Sequence, residues 1–410
     1  ARLARDLARL HHQPVRVLSP YQLLKAFFRL SGYEGLLSDV VGAAFIFDEI
    51  HAYEPCRLAM ILASMRYLRT HLDARFLVMS ATLPSIVRDR LTEALGQCSL
   101  VEASPDTFGQ FQRHRVYLAK GEVTDDLWIQ RVADEARNGS SVLVCCNTVA
   151  RAQTVYEKLK GKLDETSTQL MLLHGRFNGR DRTSKESVIQ ELVGSSSERR
   201  VPLILVSTQV VEVSLDVDFD VLYTDPAPME ALIQRFGRVN RRRRHSLAPV
   251  WVFTNPQDGQ GIYEAGHVAA ALRILARADG NVVREDTISS WLDEVYSGEL
   301  AEAWLSAYRR SEKDFETTCI RSLRGFEADE NLESMFYQAF DSVEVLPKCF
   351  EQEYRSLCED GYLLEASGLC VSVPWRLALR LGARTHASTG RHWPQVIDAS
   401  YSSERGLVLQ

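Results

Sequence analysis

The sequence predicts an α/β fold in which a parallel sheet carries helices on both faces. Between about residues 15 and 255, short runs of Val, Ile, Leu and Phe alternate with segments of helical periodicity. Such apolar runs are typical of strands that are buried on both faces. The predicted strands span residues 15–18, 41–47, 75–79, 141–145, 169–173, 202–206, 221–223 and 250–253.

Two interruptions of this rhythm predict the domain organisation. Ser-Pro-Asp and Gly break the pattern near residues 102–111, and the alternation stops after Pro256, where helical segments are predicted at residues 265–278, 287–309 and 331–339. Only three strands precede the first break, and the chain opens in a predicted helix, residues 1–11, without an initiator Met. We therefore expect a first lobe that lacks its N-terminal portion. The expected parts are this partial lobe over 1–107, a second lobe over 108–256, a helical connector over 257–345 and a C-terminal accessory domain over 346–410.

Composition excludes several classes of protein. The 410 residues are 45% hydrophobic and 25% charged, which is typical of a globular chain and not of a disordered, collagen-like or coiled-coil one. Apolar runs stay well below the roughly 20 residues that cross a bilayer, and the first residues lack the features of a signal peptide. The eight cysteines form no C-x-x-C pair, so we expect reduced thiols in a cytoplasmic protein without membrane attachment. A net charge of −6 indicates that any contact with nucleic acid is local.

Two carboxylates follow the second predicted strand. Asp48 and Glu49 come directly after the apolar run 41–47, and strands of a parallel sheet end at the edge where α/β proteins bind ligands. At such an edge Asp48 can hold Mg²⁺ through its water shell, and Glu49 can orient and deprotonate the water that attacks a γ-phosphate. A helix N-terminus that favours acidic residues explains the pair equally well. The pair alone leaves both interpretations open.

Two further motifs follow in chain order. Ser-Ala-Thr at residues 80–82 comes after another apolar strand and supplies two hydroxyl groups at the same edge of the sheet. The alternative to a functional role is that these residues cap a helix that begins near Pro84. The arginine-rich segment 234–241 is predicted to be helical, so that Arg238 and Arg241 share one face. A guanidinium binds two phosphate oxygens at once, and this pair therefore suits a γ-phosphate. A solvated basic face is the alternative interpretation of this segment.

Together these motifs resemble superfamily 2 helicases, and they are most similar to one family, the CRISPR-associated helicase/nuclease that Cascade recruits in type I interference systems. The resemblance runs from about residue 15 to the end of the chain. It rests on residues 48–55 (DEIHAYEP), 144–151 (VCCNTVAR), 173–177 (LHGRF), 207–212 (STQVVE), 232–241 (LIQRFGRVNR) and 396–407, which include Tyr401, Gly406 and Leu407. Ser214 departs from the family pattern where Gly is usual, and Phe236 departs where a small residue is usual.

This resemblance implies a P-loop NTPase fold of two RecA-like lobes. It also implies an ATP-dependent translocase that moves along single-stranded DNA and unwinds target DNA for degradation in antiviral defence, with ATP and Mg²⁺ as cofactors. A Cascade-type effector complex is the implied partner. The resemblance implies that Asp48 and Glu49 form the Mg²⁺ and water site and that Arg238 and Arg241 are arginine fingers. It implies that His51 and Gln234 couple nucleotide state to lobe closure, and that Ser80 and Thr82 couple hydrolysis to strand movement. Thr208 and Asp216 would contact both the DNA backbone and the nucleotide, and Ser19, Pro20 and Arg176 would contact DNA.

A run of four arginines lies near the end of the predicted second lobe. Arg241 to Arg244 either continue the arginine-rich helix into a DNA-facing loop, with Arg242 and Arg243 on phosphates, or form a solvated loop. Contacts of this kind supply affinity without sequence preference.

Two motifs of the family do not occur in this sequence. G-x-x-x-x-G-K-[ST] is missing, and none of the ten histidines is followed by Asp as a His-Asp nuclease requires. We therefore expect the phosphate-binding loop and the HD nuclease to be supplied elsewhere, and the chain alone to be inactive. The alternatives are a general superfamily 2 DNA or RNA helicase, and a non-catalytic remnant that binds nucleic acid or docks on Cascade.

Overall fold

The computed structural model describes residues 14–163, 168–197, 201–213, 215–327, 329–339, 342–381 and 394–408. The predicted helix at residues 1–11 and the departure at Ser214 lie outside these ranges. The chain forms two compact units: unit 1 contains Ala1–Ala103 and Ile288–Asp341, and unit 2 contains Ser104–Thr287 and Ser342–Gln410. The finer division at residues 107, 256 and 345 stays a prediction. No helix in the described ranges is long and apolar enough to cross a membrane.

Helices and strands alternate through most of the described chain. The α-helices are α1 Pro20–Phe27, α2 Tyr33–Asp39, α3 Pro55–Leu72, α4 Ser85–Leu95, α5 Pro105–Gln110, α6 Asp126–Arg137, α7 Val149–Lys160, α8 Gly179–Val193, α9 Met229–Phe236, α10 Ala265–Ala278, α11 Glu285–Val295, α12 Gly298–Phe315, α13 Glu330–Ala339, α14 Glu351–Glu359, α15 Leu363–Ser367 and α16 Trp375–Arg380. The strands are β1 Ala44–Asp48, β2 Arg75–Met79, β3 His114–Ala119, β4 Val142–Cys145, β5 Gln169–Leu173, β6 Leu203–Ser207, β7 Val221–Thr224, β8 Ala248–Phe253, β9 Val282–Val283, β10 Ser342–Pro347, β11 Val371–Pro374, β12 Gln395–Ile397, β13 Tyr401–Ser402 and β14 Gly406–Leu407.

Unit 1 is built around the long helix α3 and a parallel pair of strands. β1 and β2 pair with Phe45 opposite Phe76, and these two rings stack at 5.2 Å. The helices α12 and α13, far along the sequence, contribute Phe315 and Phe336 to the same core, where both rings contact Phe28. Burial of this apolar surface joins α12 and α13 to the described residues before 104.

Two predictions for unit 1 are wrong. Residues 15–18 do not form a strand: they are irregular and Val15 is 81% exposed, because Pro20 opens α1 immediately afterwards and no strand of the described chain pairs with them. The single helix predicted at 287–309 is two helices. The chain turns at Gly298, whose φ of 56° is a conformation that glycine adopts without strain.

Unit 2 contains a seven-stranded sheet in the order β5-β6-β4-β7-β8-β3-β9. All neighbouring strands in this sheet are parallel except β9, which pairs antiparallel with β3. The strands β4, β6 and β7 are buried along their whole length, which confirms the α/β prediction. The strand β3, which begins with the polar residues His114 and Arg115, was not among those that the apolar runs predicted.

The last part of unit 2 forms a small sheet and a hairpin. β10 lies between β11 and β12, and β13 pairs with β14 in an antiparallel hairpin. Val345, Ile397 and Leu407 are among the residues of its small core. This core is separate from that of the seven-stranded sheet.

Candidate nucleotide and nucleic-acid sites

Asp48 and Glu49 lie at the carboxyl end of β1. Asp48 is the last residue of the strand, in register with Met79 of β2, and the Glu49 amide donates to the Met79 carbonyl at 3.0 Å. Glu49 has φ 53° and ψ 42°, a left-handed conformation that costs a non-glycine residue roughly 1–2 kcal/mol. Both side chains are exposed. Since only a three-residue 3₁₀ turn, Ile50–Ala52, follows them, a helix dipole does not account for the acidic pair.

His51 joins this carboxylate pair to the Ser-Ala-Thr motif. Its side chain is 1% exposed, and His51 Nδ1 lies 2.5 Å from Ser80 Oγ and 3.3 Å from Glu49 Oε2. Ser80 Oγ donates its hydrogen to the Thr82 carbonyl at 2.8 Å, so His51 Nδ1 is the donor to Ser80. Thr82 is buried, and its Oγ1 has no hydrogen-bond partner among the described atoms. Four residues predicted from two separate motifs are thus one connected group.

A single protein carboxylate can be enough to hold Mg²⁺ when a nucleotide supplies phosphate oxygens as further ligands. Mg²⁺ keeps several waters and is usually held by one or two carboxylates and the substrate phosphates. Asp48 fits this pattern as an exposed carboxylate at a strand end. Among the described residues there is no cluster of three or more His, Cys, Asp or Glu side chains that could hold a metal without a ligand.

In unit 2, Arg176 and Thr208 follow neighbouring strands of the sheet. Thr208, just after β6, donates its amide to the carbonyl of Leu173 at the end of β5 (3.3 Å), and it is buried. Arg176 lies in the loop after β5, and burial lowers the pKa of its half-buried guanidinium. Burial is the single cause of this shift, and among the described residues no charged partner contributes to it. A desolvated cation of this kind favours an anionic ligand.

The arginine-rich segment is not one helix, which corrects the prediction for Arg238 and Arg241. α9 ends at Phe236, Val239 pairs with Phe219 in an isolated bridge, and Asn240 has φ 48°. The Asn240 side chain bonds to the backbone of Arg113 and His245, which stabilises this turn. The two arginines therefore do not share a helical face.

Arg238 and Arg241 have different surroundings. The Arg238 guanidinium donates to the carbonyls of Leu215 (2.8 Å) and Glu212, which hold it against the loop after β6. Arg241 is exposed, with its Nε 3.5 Å from Asp216, and Asp216 also accepts from Ser195 Oγ at 2.6 Å. The finger role of both arginines stays a prediction.

The fully buried arginine of the motif is Arg235, whose role the sequence analysis did not identify. Its Nε donates to Glu212 at 2.8 Å, Nη1 donates to Thr224 at 2.7 Å, and Nη2 donates to Asn147 and Tyr263. Burial raises the pKa of Glu212, and the positive charge of Arg235 opposes that rise. A buried charge must be paired, but the sequence does not indicate which of the nearby polar residues is its partner.

The other predicted site residues near the end of α9 are either exposed or partly buried. Arg242 is exposed, Arg243 lies 4.7 Å from the Phe111 ring, and Arg244 donates to the Ser197 carbonyl. These arginines form a turn and not a continuation of α9. Gln234 is half-buried on α9, directly before Arg235.

Ser19 and Pro20 begin α1 in unit 1. Ser19 is exposed and precedes the helix, but its side chain makes no capping hydrogen bond, and Pro20 is the first helical residue.

Phe236, the departure from the family pattern, is buried with its ring 6.1 Å from that of His114. The larger residue therefore fills core space.

Comparison with known proteins identifies related sequences. Residues 138–244 match a family model described as the C-terminal part of the CRISPR-associated nuclease/helicase Cas3. The chain is 29% identical over 292 residues to the CRISPR-associated endonuclease/helicase Cas3 of Escherichia coli, covering 62% of this chain and 32% of the relative. It is 28% identical over 372 residues to that of Thermus thermophilus, covering 72% and 40%. The chain thus spans about a third to two fifths of the length of these relatives.

Solved structures show the same fold. A crystal structure of T. fusca Cas3 with ADP matches with a TM-score of 0.72 and 20% identity, covering 95% of this chain and 56% of that chain. A CRISPR RNA-guided surveillance complex in a pre-nicking state contains a chain that matches with a TM-score of 0.70 and 20% identity, covering 98% and 59%. These likenesses confirm the predicted α/β fold of the RecA-like type.

Proposed function

We propose, on the premise that this chain belongs to the family of CRISPR-associated Cas3 nuclease/helicases, that it carries helicase machinery for ATP-driven movement along single-stranded DNA in type I interference. The observation that carries the proposal is the connected group Glu49, His51, Ser80 and Thr82. This group links a carboxylate able to act on water with the motif that the resemblance associates with strand movement.

On the hydrolysis side, each residue has a distinct task in this proposal. The Glu49 carboxylate orients a water and accepts its proton, and His51 Nδ1–H holds Ser80 in place and lies near Glu49. Mg²⁺, held through Asp48, would neutralise phosphate charge when ATP is bound. Arg238 and Arg241 are proposed to bind phosphate oxygens, since a guanidinium can bond two of them at once.

On the DNA side, the proposal uses phosphate contacts without base recognition. Arg176, Thr208 and the exposed Arg242 supply such contacts, and Ser19 and Pro20 are proposed to do so in unit 1. We include as partners a Cascade-type effector complex and an HD nuclease that lies outside this sequence. A cytoplasmic location, which cysteines without C-x-x-C pairing favour, is part of the same proposal.

The test is DNA-stimulated ATP hydrolysis by this chain alone and by this chain fused to a matching first-lobe segment with G-x-x-x-x-G-K-[ST]. We expect turnover only in the fusion, because the sequence given has no loop of that kind to hold the phosphates. In the fusion, Glu49→Gln should reduce kcat by about 10³ or more without weakening DNA binding.

Ser80→Ala in the fusion tests the coupling, and Ser140→Ala is a control serine outside the site. Ser80→Ala should keep hydrolysis and reduce strand separation per ATP consumed, whereas Ser140→Ala should change neither. If Glu49→Gln hydrolyses ATP at the unmodified rate, or if the fusion shows no DNA-stimulated hydrolysis, the proposal is wrong.

A further inference from the structure

The C-terminal hairpin β13–β14 lies on the loop that carries Arg176. The Leu407 amide donates to the Arg176 carbonyl at 2.9 Å. Tyr401, Gly406 and Leu407 belong to the stretch that carried the family resemblance, yet the proposed function assigns them no task. Their contacts indicate what they do.

The His174 ring forms a second hydrogen-bonded link between the backbone of Arg176 and the hairpin. The Arg176 amide donates to His174 Nδ1 at 3.2 Å, and His174 Nε2 lies 3.0 Å from the Arg405 carbonyl. Burial lowers the pKa of His174 to about 4, so the ring is neutral, with Nδ1 accepting and Nε2–H donating. Both the amide and the carbonyl of Arg176 are therefore bonded, one through the ring and one directly to the hairpin.

Gly406 allows the hairpin to approach this closely. Its φ is 68°, and a Cβ at this position would lie 2.7 Å from His174 Cε1 and 2.8 Å from the Arg176 carbonyl oxygen. Either distance is too short for a real contact, and the carbonyl belongs to the backbone and cannot move alone. Any larger residue at 406 must therefore displace the Arg176 loop or the hairpin.

Tyr401 and Glu404 fix the hairpin at two further points. The Tyr401 hydroxyl donates to Asp181 at 2.7 Å and accepts from the Asn178 amide at 3.1 Å, at the start of α8. Glu404 accepts from the Tyr156 hydroxyl of α7 at 2.7 Å. The loop 174–178 is thus bonded to the hairpin at His174, Arg176 and Asn178, and none of these bonds between described residues involves the Arg176 side chain.

We propose that the C-terminal hairpin is the positioning element for Arg176, setting the backbone from which this guanidinium meets a phosphate of single-stranded DNA. Through this loop the C-terminal segment controls strand binding without touching the strand. The inference rests on the proposed function, because it takes the phosphate-bearing ligand to be DNA. Arg176 is suited to the task as a half-buried cation whose pKa burial lowers.

The experiment measures binding of a fluorescein-labelled oligothymidine to the full chain by anisotropy over a series of salt concentrations. The variants are Gly406→Ala, Arg176→Ala and the two combined. Gly139→Ala is the matched control: Gly139 has φ 94° but no atom within 4 Å of the added Cβ, so it carries the backbone strain without the clash.

We expect Gly406→Ala and Arg176→Ala each to weaken binding about tenfold, as for one charge-assisted hydrogen bond. Each should also reduce the slope of log K against log salt by about 0.7, the value for one phosphate contact on a single strand. The combined variant should bind no more weakly than Arg176→Ala, and Arg176→Lys should recover part of the loss. Gly139→Ala should leave both affinity and slope unchanged.

Other results would overturn the inference. If Gly406→Ala weakens binding by the same factor with and without Arg176, the hairpin acts independently of that side chain. If Gly406→Ala does not fold, Tyr401→Phe removes one hydroxyl and must likewise show its loss only when Arg176 is present. An unmodified chain that does not bind the oligonucleotide contradicts the proposed function and this inference together, whereas binding that is insensitive to Arg176→Ala contradicts the inference alone.

Discussion

Replacing Arg235 by Met should destabilise unit 2 far more than the loss of a surface arginine would. Arg235 is fully buried, and its guanidinium bonds to Glu212, Thr224, Asn147 and Tyr263, which come from separate parts of the chain. Met fills much of the same volume but cannot pair with the Glu212 carboxylate, which is only 10% exposed. The substitution therefore removes the hydrogen-bonded partner of a buried carboxylate.

The expected loss is about 3–5 kcal/mol of unfolding free energy, the range found when one member of a buried ion pair is removed. A second substitution that removes the stranded charge, Glu212→Gln, should recover at least about 1 kcal/mol. Arg137→Met is the control, because Arg137 pairs with Asp134 on the surface of α6 and such pairs contribute at most about 1 kcal/mol.

Native-state hydrogen exchange of peptides from β4, β6 and β7, followed by mass spectrometry, reports the stability of unit 2 separately from that of unit 1. Protection in these strands should fall in Arg235→Met, while peptides from β1 and β2 should keep theirs. A loss below about 1 kcal/mol, or a double variant less stable than Arg235→Met, would refute the reasoning.

Two further predictions concern acid stability and DNA binding. Burial lowers the pKa of His114 and of His174 from 6.5 to about 4, so between these values the unfolded chain binds more protons than the folded one. The free energy of unfolding should therefore fall as the pH decreases from about 6.5 to about 4, by roughly 3 kcal/mol for each histidine, and His174→Gln should flatten this dependence in urea titrations. For DNA, Arg242→Ala should reduce the salt dependence of oligothymidine binding more than Arg244→Ala, because Arg244 is 3.5 Å from Asp218 and donates to Ser197; equal effects of the two substitutions contradict this.

The sequence by itself determined the α/β class, seven of the fourteen strands in the described residues and the residues at the end of β1. The strands at 75–79 and 169–173 have the bounds that the apolar runs predict, and Asp48 and Glu49 lie at the strand end where they were expected. These features are local: a buried strand requires several consecutive apolar residues, and its end is marked by the first polar ones. The motif order then indicated the family.

Only the tertiary structure decided which arginine of the motif is buried, where α9 ends and what the C-terminal hairpin touches. Arg235 and Arg238 are equally polar in the sequence, yet one is enclosed by Glu212, Thr224 and Asn147 while the other bonds to backbone carbonyls. Likewise, the contact of Gly406 with Arg176 joins residues that are far apart along the chain. Such pairings depend on the order of the strands in the sheet, because that order determines which strand ends are neighbours. Local residue patterns do not predict that order.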